Sequence, residues 1–136
     1  MTTNGTASTL VYVGTYTHSL PHVQGQARGI DVYRLDAASA ALTFAHTREG
    51  IANPSYLTLD PHRRCLYSVA ERAEGQVHAF RIDPATGALT ALNHLSSQGA
   101  EPAHISVDRD GRWVLVANYG SGTLAVLPVL EDGSPG

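Results

Sequence analysis

The chain has 136 residues, of which 43% are hydrophobic and 15% charged, and its formal net charge is -3. That is enough apolar chain to bury one core, and the charge excludes a basic nucleic-acid binder or a protein drawn to an anionic membrane surface. All nine basic residues are arginine, which grips phosphate and carboxylate better than lysine, although coding bias yields the same set.

In chain order, residues 1–9 read as a disordered tail. Met1 to Ser8 is polar and uncharged, without a basic start or a long apolar run, so neither a signal peptide nor a membrane span is expected and a cytoplasmic location is. Leu10–Thr15 predicts a strand, followed by a long loop from Thr17 to Arg28 and a second strand over Ile30–Asp36. A complete unit of four strands follows: A over Tyr56–Asp60, B over Cys65–Glu71, C over Gln76–Asp83 and D over about Leu89–Leu95. These runs are short, rich in Val, Ile, Leu, Tyr and Thr, and bounded by turn residues. Asp60-Pro-His-Arg63 and Asp108-Arg-Asp-Gly111 make A–B turns, and Asp83-Pro-Ala-Thr-Gly87 makes a C–D turn. No stretch carries sustained helical periodicity with caps. Cys65, the single cysteine, reads as a small buried core residue, so the fold needs no disulfide.

The chain repeats itself. Tyr56-Leu-Thr-Leu-Asp60 aligns with His104-Ile-Ser-Val-Asp108 at an offset of 48, and Leu66-Tyr-Ser-Val-Ala70 with Val114-Leu-Val-Ala-Asn118. Ile30-Asp-Val-Tyr-Arg-Leu-Asp36 aligns with Val77-His-Ala-Phe-Arg-Ile-Asp83 at 47. Four short strands per period of roughly 40–50 residues is the pattern of a β-propeller blade. The first unit starts in phase with strand B, and residues 131–136 stand where a C–D turn belongs. Residues 10–136 therefore predict an all-β domain of about two and a half four-stranded blades. A closed ring would need about 300 residues or more, so the chain is expected to be the N-terminal part of one, partnered by the remaining blades.

These residues resemble the seven-bladed propeller lactonase family, which includes bacterial 6-phosphogluconolactonases of the propeller type and relatives that cyclise carboxymuconate. The stretches that carry the resemblance are Val11-Tyr-Val-Gly-Thr-Tyr-Thr17, Asn53-Pro-Ser-Tyr-Leu57, Phe80-Arg-Ile-Asp-Pro-Ala-Thr-Gly-Ala-Leu89, Pro102-Ala-His-Ile-Ser-Val107 and Gly111-Arg-Trp-Val-Leu-Val-Ala-Asn-Tyr-Gly120. Their order and spacing point to the family more than to one reaction. Three positions depart from its pattern: Ala40 replaces the usual turn glycine, Ala70 a frequent Asn, and Cys65 an aromatic. A His-rich stretch that the family carries in the next blade lies past Gly136.

In an up-and-down blade the lead-in to strand A and the exit from strand B lie on one face, near the central channel. That brings Asn53, Pro54 and Ser55 toward Glu71 and Arg72, and Glu101, Pro102 and His104 toward Asn118 and Tyr119. Thr15, Tyr16 and Thr17 join them from the first unit, and pockets form at such mouths. Lactone hydrolysis needs a base for water, donors for an oxyanion and a site for the anionic group. His104 and Glu71 are each a candidate for base or acid, Asn53 and Asn118 candidate donors, and Arg72 the candidate phosphate ligand, with Tyr16 and Tyr119 at the rim as substrate contacts. Each has a plainer reading: His104 capping its strand, Glu71 and Arg72 a solvated pair, Asn53-Pro54 and Asn118 turn formers, the tyrosines rim packing. His46, His62, His78 and His94 read as surface residues. His18 and His22 stand four apart, a spacing that can hold a metal on a helix, but they lie in a loop that contains Pro and Gly, and no metal or other cofactor is expected.

The resemblance implies hydrolysis of 6-phosphoglucono-δ-lactone, a small sugar-phosphate lactone, to 6-phosphogluconate in the oxidative pentose phosphate route. Two alternatives stay open: another enzyme on the same scaffold, such as a different sugar lactonase or a cycloisomerase, and a non-catalytic propeller that serves as a binding platform.

Overall fold

The computed structural model describes residues 9–136, which fold as ten antiparallel β-strands in three sheets, without a helix among the described residues. The first sheet is β1 (Thr9–Val13), β2 (Gly29–Leu35) and β3 (Leu42–Glu49). The second is β4 (Leu57–Leu59), β5 (Cys65–Ala70), β6 (Gln76–Ile82) and β7 (Leu89–Ser96). The third is β8 (Pro102–Val107), β9 (Trp113–Asn118) and β10 (Thr123–Pro128). Within each sheet every strand pairs with its successor in sequence, the up-and-down order of propeller blades. Three, four and three strands make two and a half blades. Of the tail expected over residues 1–9, Thr9 instead opens β1, and the rest lies outside the described residues.

The repeat read from the sequence extends to individual hydrogen bonds. Asp60 Oδ1 accepts the N–H groups of Arg64 and Cys65 at 2.6 and 2.8 Å, and Asp108 Oδ1 those of Arg112 and Trp113 at the same distances. Asp36 and Asp83 close the two C–D turns alike, accepting from Ala38 and Ala85 at 2.8 Å. Those backbone N–H bonds favour the ionised carboxylate, which holds Asp36, Asp83 and Asp108 below the usual carboxylate range. Register shifts fall at equivalent places in the pairing of strands C and D, at Val32/Tyr33 and at Ala79/Phe80.

Apolar packing lies between blades. Ile30, Ile51, Leu66, Ala70, Phe80 and Leu89 form the core between the first two sheets. Cys65, Tyr67, Val69, Val77 and Ala79 meet Ile105, Val114, Val116, Ala125 and Leu127 between the second and third. Because side chains alternate along a strand, β5 sends Leu66 and Ala70 one way and Cys65, Tyr67 and Val69 the other, and all six of its residues are buried. Full burial of a side chain such as Phe80 or Leu66 stabilises by about 1.5–3 kcal/mol. The outer faces are different: Leu42 and Phe44 in the first sheet and Leu124 and Val126 in the third are about half exposed or more.

Polar clasps reinforce these seams. Tyr12 donates its hydroxyl to the Gly87 carbonyl at 2.7 Å, and Tyr67, one blade on, to the Gly133 carbonyl at 2.6 Å. Arg34 and Arg81 do likewise, reaching the Ala85 and Asp132 carbonyls at 3.1 and 2.6 Å. Each blade thus holds the outer turn of the blade that follows it.

The histidines divide. His62 and His94 are exposed, whereas His46 is half-buried and lies 3.2 Å from the Thr86 carbonyl oxygen. His78 is not the surface residue expected of it. A middle blade is flanked on both faces, so strand C presents less of its length to solvent than in an isolated sheet. His78 sits half-buried with its ring stacked on His94 and Phe80, at 5.0 and 6.4 Å. Burial, with the charges of His94, Arg72 and Arg48, holds it neutral by lowering its pKa to about 4.

Candidate active site

Where β4 begins and β5 ends, the chain makes a compact polar cluster. Asn53 leads into β4 with φ +49°, a left-handed conformation that Asn tolerates better than most residues. Its carbonyl accepts the N–H groups of Ser55 and Glu71 at 2.7 and 3.0 Å. Its side chain is spent on the same corner: Oδ1 accepts from the backbone of Thr17 and His18 at 2.9 and 2.7 Å, and Nδ2 donates to the Glu71 carbonyl at 3.1 Å. At 2% exposure, Asn53 ties the loop that leaves β1 to the end of β5. One of its two amide N–H groups is committed to Glu71.

That tie fixes Glu71, whose side chain is 7% exposed. Its Oε2 accepts from the Tyr16 hydroxyl at 2.9 Å and from the Ser55 hydroxyl. Its Oε1 lies 3.7 Å from His22 Nε2. His22 comes from the β1–β2 loop, which turns back on itself through the Leu20–Val23 bridge and sets the imidazole edge-on against the Tyr16 ring at 5.9 Å. Burial and the neighbouring carboxylate raise the Tyr16 phenol above its ordinary value, so Tyr16 stays protonated and donates. The result is a buried carboxylate with one oxygen held by two hydroxyl donors and the other turned toward a histidine. That suits a group that must take up and return a proton from a fixed position.

The third blade repeats the backbone of this corner with different side chains. Glu101 takes the place of Asn53, with φ +51°, and its carbonyl accepts the Tyr119 N–H at 3.0 Å. Asn118 is 1% exposed; its Nδ2 donates to the Ser97 carbonyl at 2.8 Å and the Thr123 hydroxyl at 3.2 Å, while its Oδ1 is buried without a partner. Tyr119 is 81% exposed. His104 is exposed and rests on the Tyr56 ring, 4.5 Å between centroids.

Of the residues singled out from the sequence, Tyr16, Asn53 and Glu71 therefore meet. Asn118, Tyr119 and His104 sit one blade on, and among the described residues no hydrogen bond or ion pair links them to Glu71. Arg72 follows Glu71 but lines a cleft on the seam between the first two blades. Two members of the cluster had no assigned role in the sequence. Ser55 was legible by position, since the lead-in to strand A faces the exit from strand B. His22 was not, because periodicity does not position a long loop.

Residues 10–136 match the family described as Lactonase, 7-bladed beta-propeller. The chain is 42% identical over 125 residues to a 6-phosphogluconolactonase of Bacillus subtilis, covering 90% of this chain and 34% of that protein. It is 32% identical over 126 residues to one of Formosa agariphila, again over 90% of this chain and 34% of the other. The chain thus spans about a third of the length of the curated relatives it matches. Among solved structures, the periplasmic gluconolactonase PpgL of Pseudomonas aeruginosa superposes with a TM-score of 0.83 at 35% identity, over 95% of this chain and 36% of that one. A crystal structure from Bacteroides fragilis superposes with a TM-score of 0.86 at 28% identity, over 99% and 36%. With ten strands in propeller order and a family match running from the first strand to the last residue, the chain belongs to the seven-bladed β-propeller lactonases.

Proposed function

We propose that the protein carrying this chain hydrolyses 6-phosphoglucono-δ-lactone to 6-phosphogluconate, a step of the oxidative pentose phosphate route. The observation that carries the reading is the buried Glu71 carboxylate, fixed by Tyr16 and Ser55 on the face where the blades open. The names of the curated relatives supply the substrate.

In this reading Glu71 takes a proton from water, and the oxygen of that water attacks the lactone carbonyl carbon. The oxyanion of the tetrahedral intermediate accepts hydrogen bonds from the mouth; of the candidate donors Asn53 and Asn118, Asn53 keeps one amide N–H uncommitted, whereas Asn118 would have to give up a bond to Ser97 or Thr123. As the intermediate collapses, the bond between the carbonyl carbon and the ring oxygen breaks and the ring oxygen takes a proton. His22, beside Glu71, and His104, one blade on, are the candidate acids. Arg72 holds the phosphate, and Tyr119 lines the rim. No cofactor enters the reaction. Further blades cover the apolar faces at Leu42, Phe44, Leu124 and Val126. A cytoplasmic location goes with this substrate, because a charged sugar phosphate does not cross a bilayer unaided. Among the described residues, no helix is long and apolar enough to cross a membrane.

A second reading, hydrolysis of an unphosphorylated sugar lactone, is favoured by the likeness to the periplasmic gluconolactonase. The deciding experiment measures kcat/KM of the native protein on both lactones. A preference for the phosphorylated lactone of tenfold or more supports the first reading, the reverse preference the second, and turnover of neither removes both.

A further inference from the structure

On the seam between the first two blades, one residue away from the Glu71 cluster at three points, lies a cleft of about 290 Å³. Thr17 and His18 line it from the β1–β2 loop, Arg28 from the residue before β2, Arg72 from just past β5, and Gln76 and His78 from β6, with residues 50–52 between. Thr17, Ala52 and Arg72 are the chain neighbours of Tyr16, Asn53 and Glu71. The cleft and the carboxylate cluster are thus built on adjacent residues of three chain segments.

The cleft is electropositive by construction. It has two arginines and no carboxylate among its lining residues. Glu49 stands 3.6 Å from Arg28, but both side chains are more than 60% exposed, and such a pair exchanges readily with water or a stronger anion. Arg48, stacked on Phe80 at 5.4 Å, adds a third positive charge near His78, and the fields of Arg72 and Arg48 both act to keep His78 neutral. Positive charge gathered around donors that an anion can reach is what a phosphate monoester needs, and guanidinium groups bind it in a two-point geometry. The volume holds a phosphate and part of a sugar, just below the roughly 300–1,000 Å³ of sites that enclose a whole ligand.

We propose that this inter-blade cleft is the phosphate subsite, and that Arg28, contributed by the first blade, completes with Arg72 the clamp that selects a phosphorylated lactone over a plain one. The assignment rests on the lactonase reading for its substrate, but the cleft's affinity for phosphate does not.

Two measurements on the native protein separate the two ideas. In the first, His78 ring resonances of histidine-labelled protein are followed as inorganic phosphate is added at constant ionic strength. A saturable shift that Arg28→Gln and Arg72→Gln each weaken about tenfold or more is expected. No shift, or a shift that neither variant weakens, overturns the subsite whatever the enzyme does. In the second, Arg28→Gln raises KM about tenfold for 6-phosphoglucono-δ-lactone with kcat retained, and leaves KM for glucono-δ-lactone unchanged. An equal rise for both lactones, or none, overturns the role in selection. If neither lactone is turned over, the lactonase reading falls, and the phosphate titration still decides the cleft.

Discussion

Ala40 and Gly87 hold the same position in successive C–D turns, with φ values of 60° and 76°, although only glycine adopts that conformation without a steric cost. Both N–H groups bond back to the turn aspartate's carbonyl, Ala40 to Asp36 at 2.8 Å and Gly87 to Asp83 at 2.7 Å, so the turn dictates the backbone whichever residue occupies it. Arg63 and Gly111 repeat the relationship at the A–B turns, with φ 58° and 73°. Ala40→Gly and Arg63→Gly should each stabilise the fold by about 1 kcal/mol, read as a higher denaturant midpoint at unchanged slope. A lower midpoint for both would mean that these turns are not strained.

The Tyr67 clasp should be worth about 1 kcal/mol, lost in Tyr67→Phe, which removes the hydroxyl that bonds Gly133 and interacts with Cys65. The phenol also has a pH signature. Burial, with the charges of Cys65 and Asp60, raises its pKa above the ordinary 10.0. The folded state then keeps a proton that the unfolded state releases. Its contribution is complete below pH 10 and is lost as pH rises beyond it. Denaturation followed from pH 8 upward should show a steeper alkaline loss for wild type than for Tyr67→Phe.

Glu71→Gln keeps the shape of the side chain and removes its capacity to take a proton. A loss in kcat on the order of 10²–10⁴-fold is expected, with KM little changed. Tyr16→Phe, which removes one of the two hydroxyl donors, should cost about tenfold. Steady-state kinetics on the phosphorylated lactone tests both, and full activity in Glu71→Gln would remove the carboxylate from the mechanism.

His78 gives the acid limb of stability its shape. Its folded pKa of about 4 lies below the ordinary 6.5, so between those values the unfolded chain binds a proton that the folded one refuses. Stability should therefore be full above pH 6.5 and fall as pH drops toward 4. His78→Gln should flatten that slope, as read from urea midpoints at intervals across the window.

The strands were legible because each is bracketed by residues with one local job. The A–B and C–D aspartates bond the N–H groups two to five positions on, so the sequence marks each hairpin directly. The sequence places strand B over Cys65–Glu71, and it forms over Cys65–Ala70; it places strand A over Tyr56–Asp60, and that strand contracts to Leu57–Leu59. The carboxylate corner was half legible. The phase of the repeat sets Asn53 opposite Glu71, and Tyr16 follows from the first unit. His104 escaped the same logic because a register shift falls between Pro102 and His104, so alternation counted from the lead-in no longer tells which way the imidazole faces. His78 escaped because the identity of strand C says nothing about neighbours, and only the ring arrangement covers both of its faces.

The one-way clasps bear on how the molecule is made. Tyr12 and Arg34 are translated long before Gly87 and Ala85, the carbonyls they hold, and Tyr67 and Arg81 before Gly133 and Asp132. A ribosome releases the amino end first, so the donors of both described clasps are made before the turns at residues 85–87 and 132–133. In both described seams, therefore, the donors precede in the chain the turns that they hold.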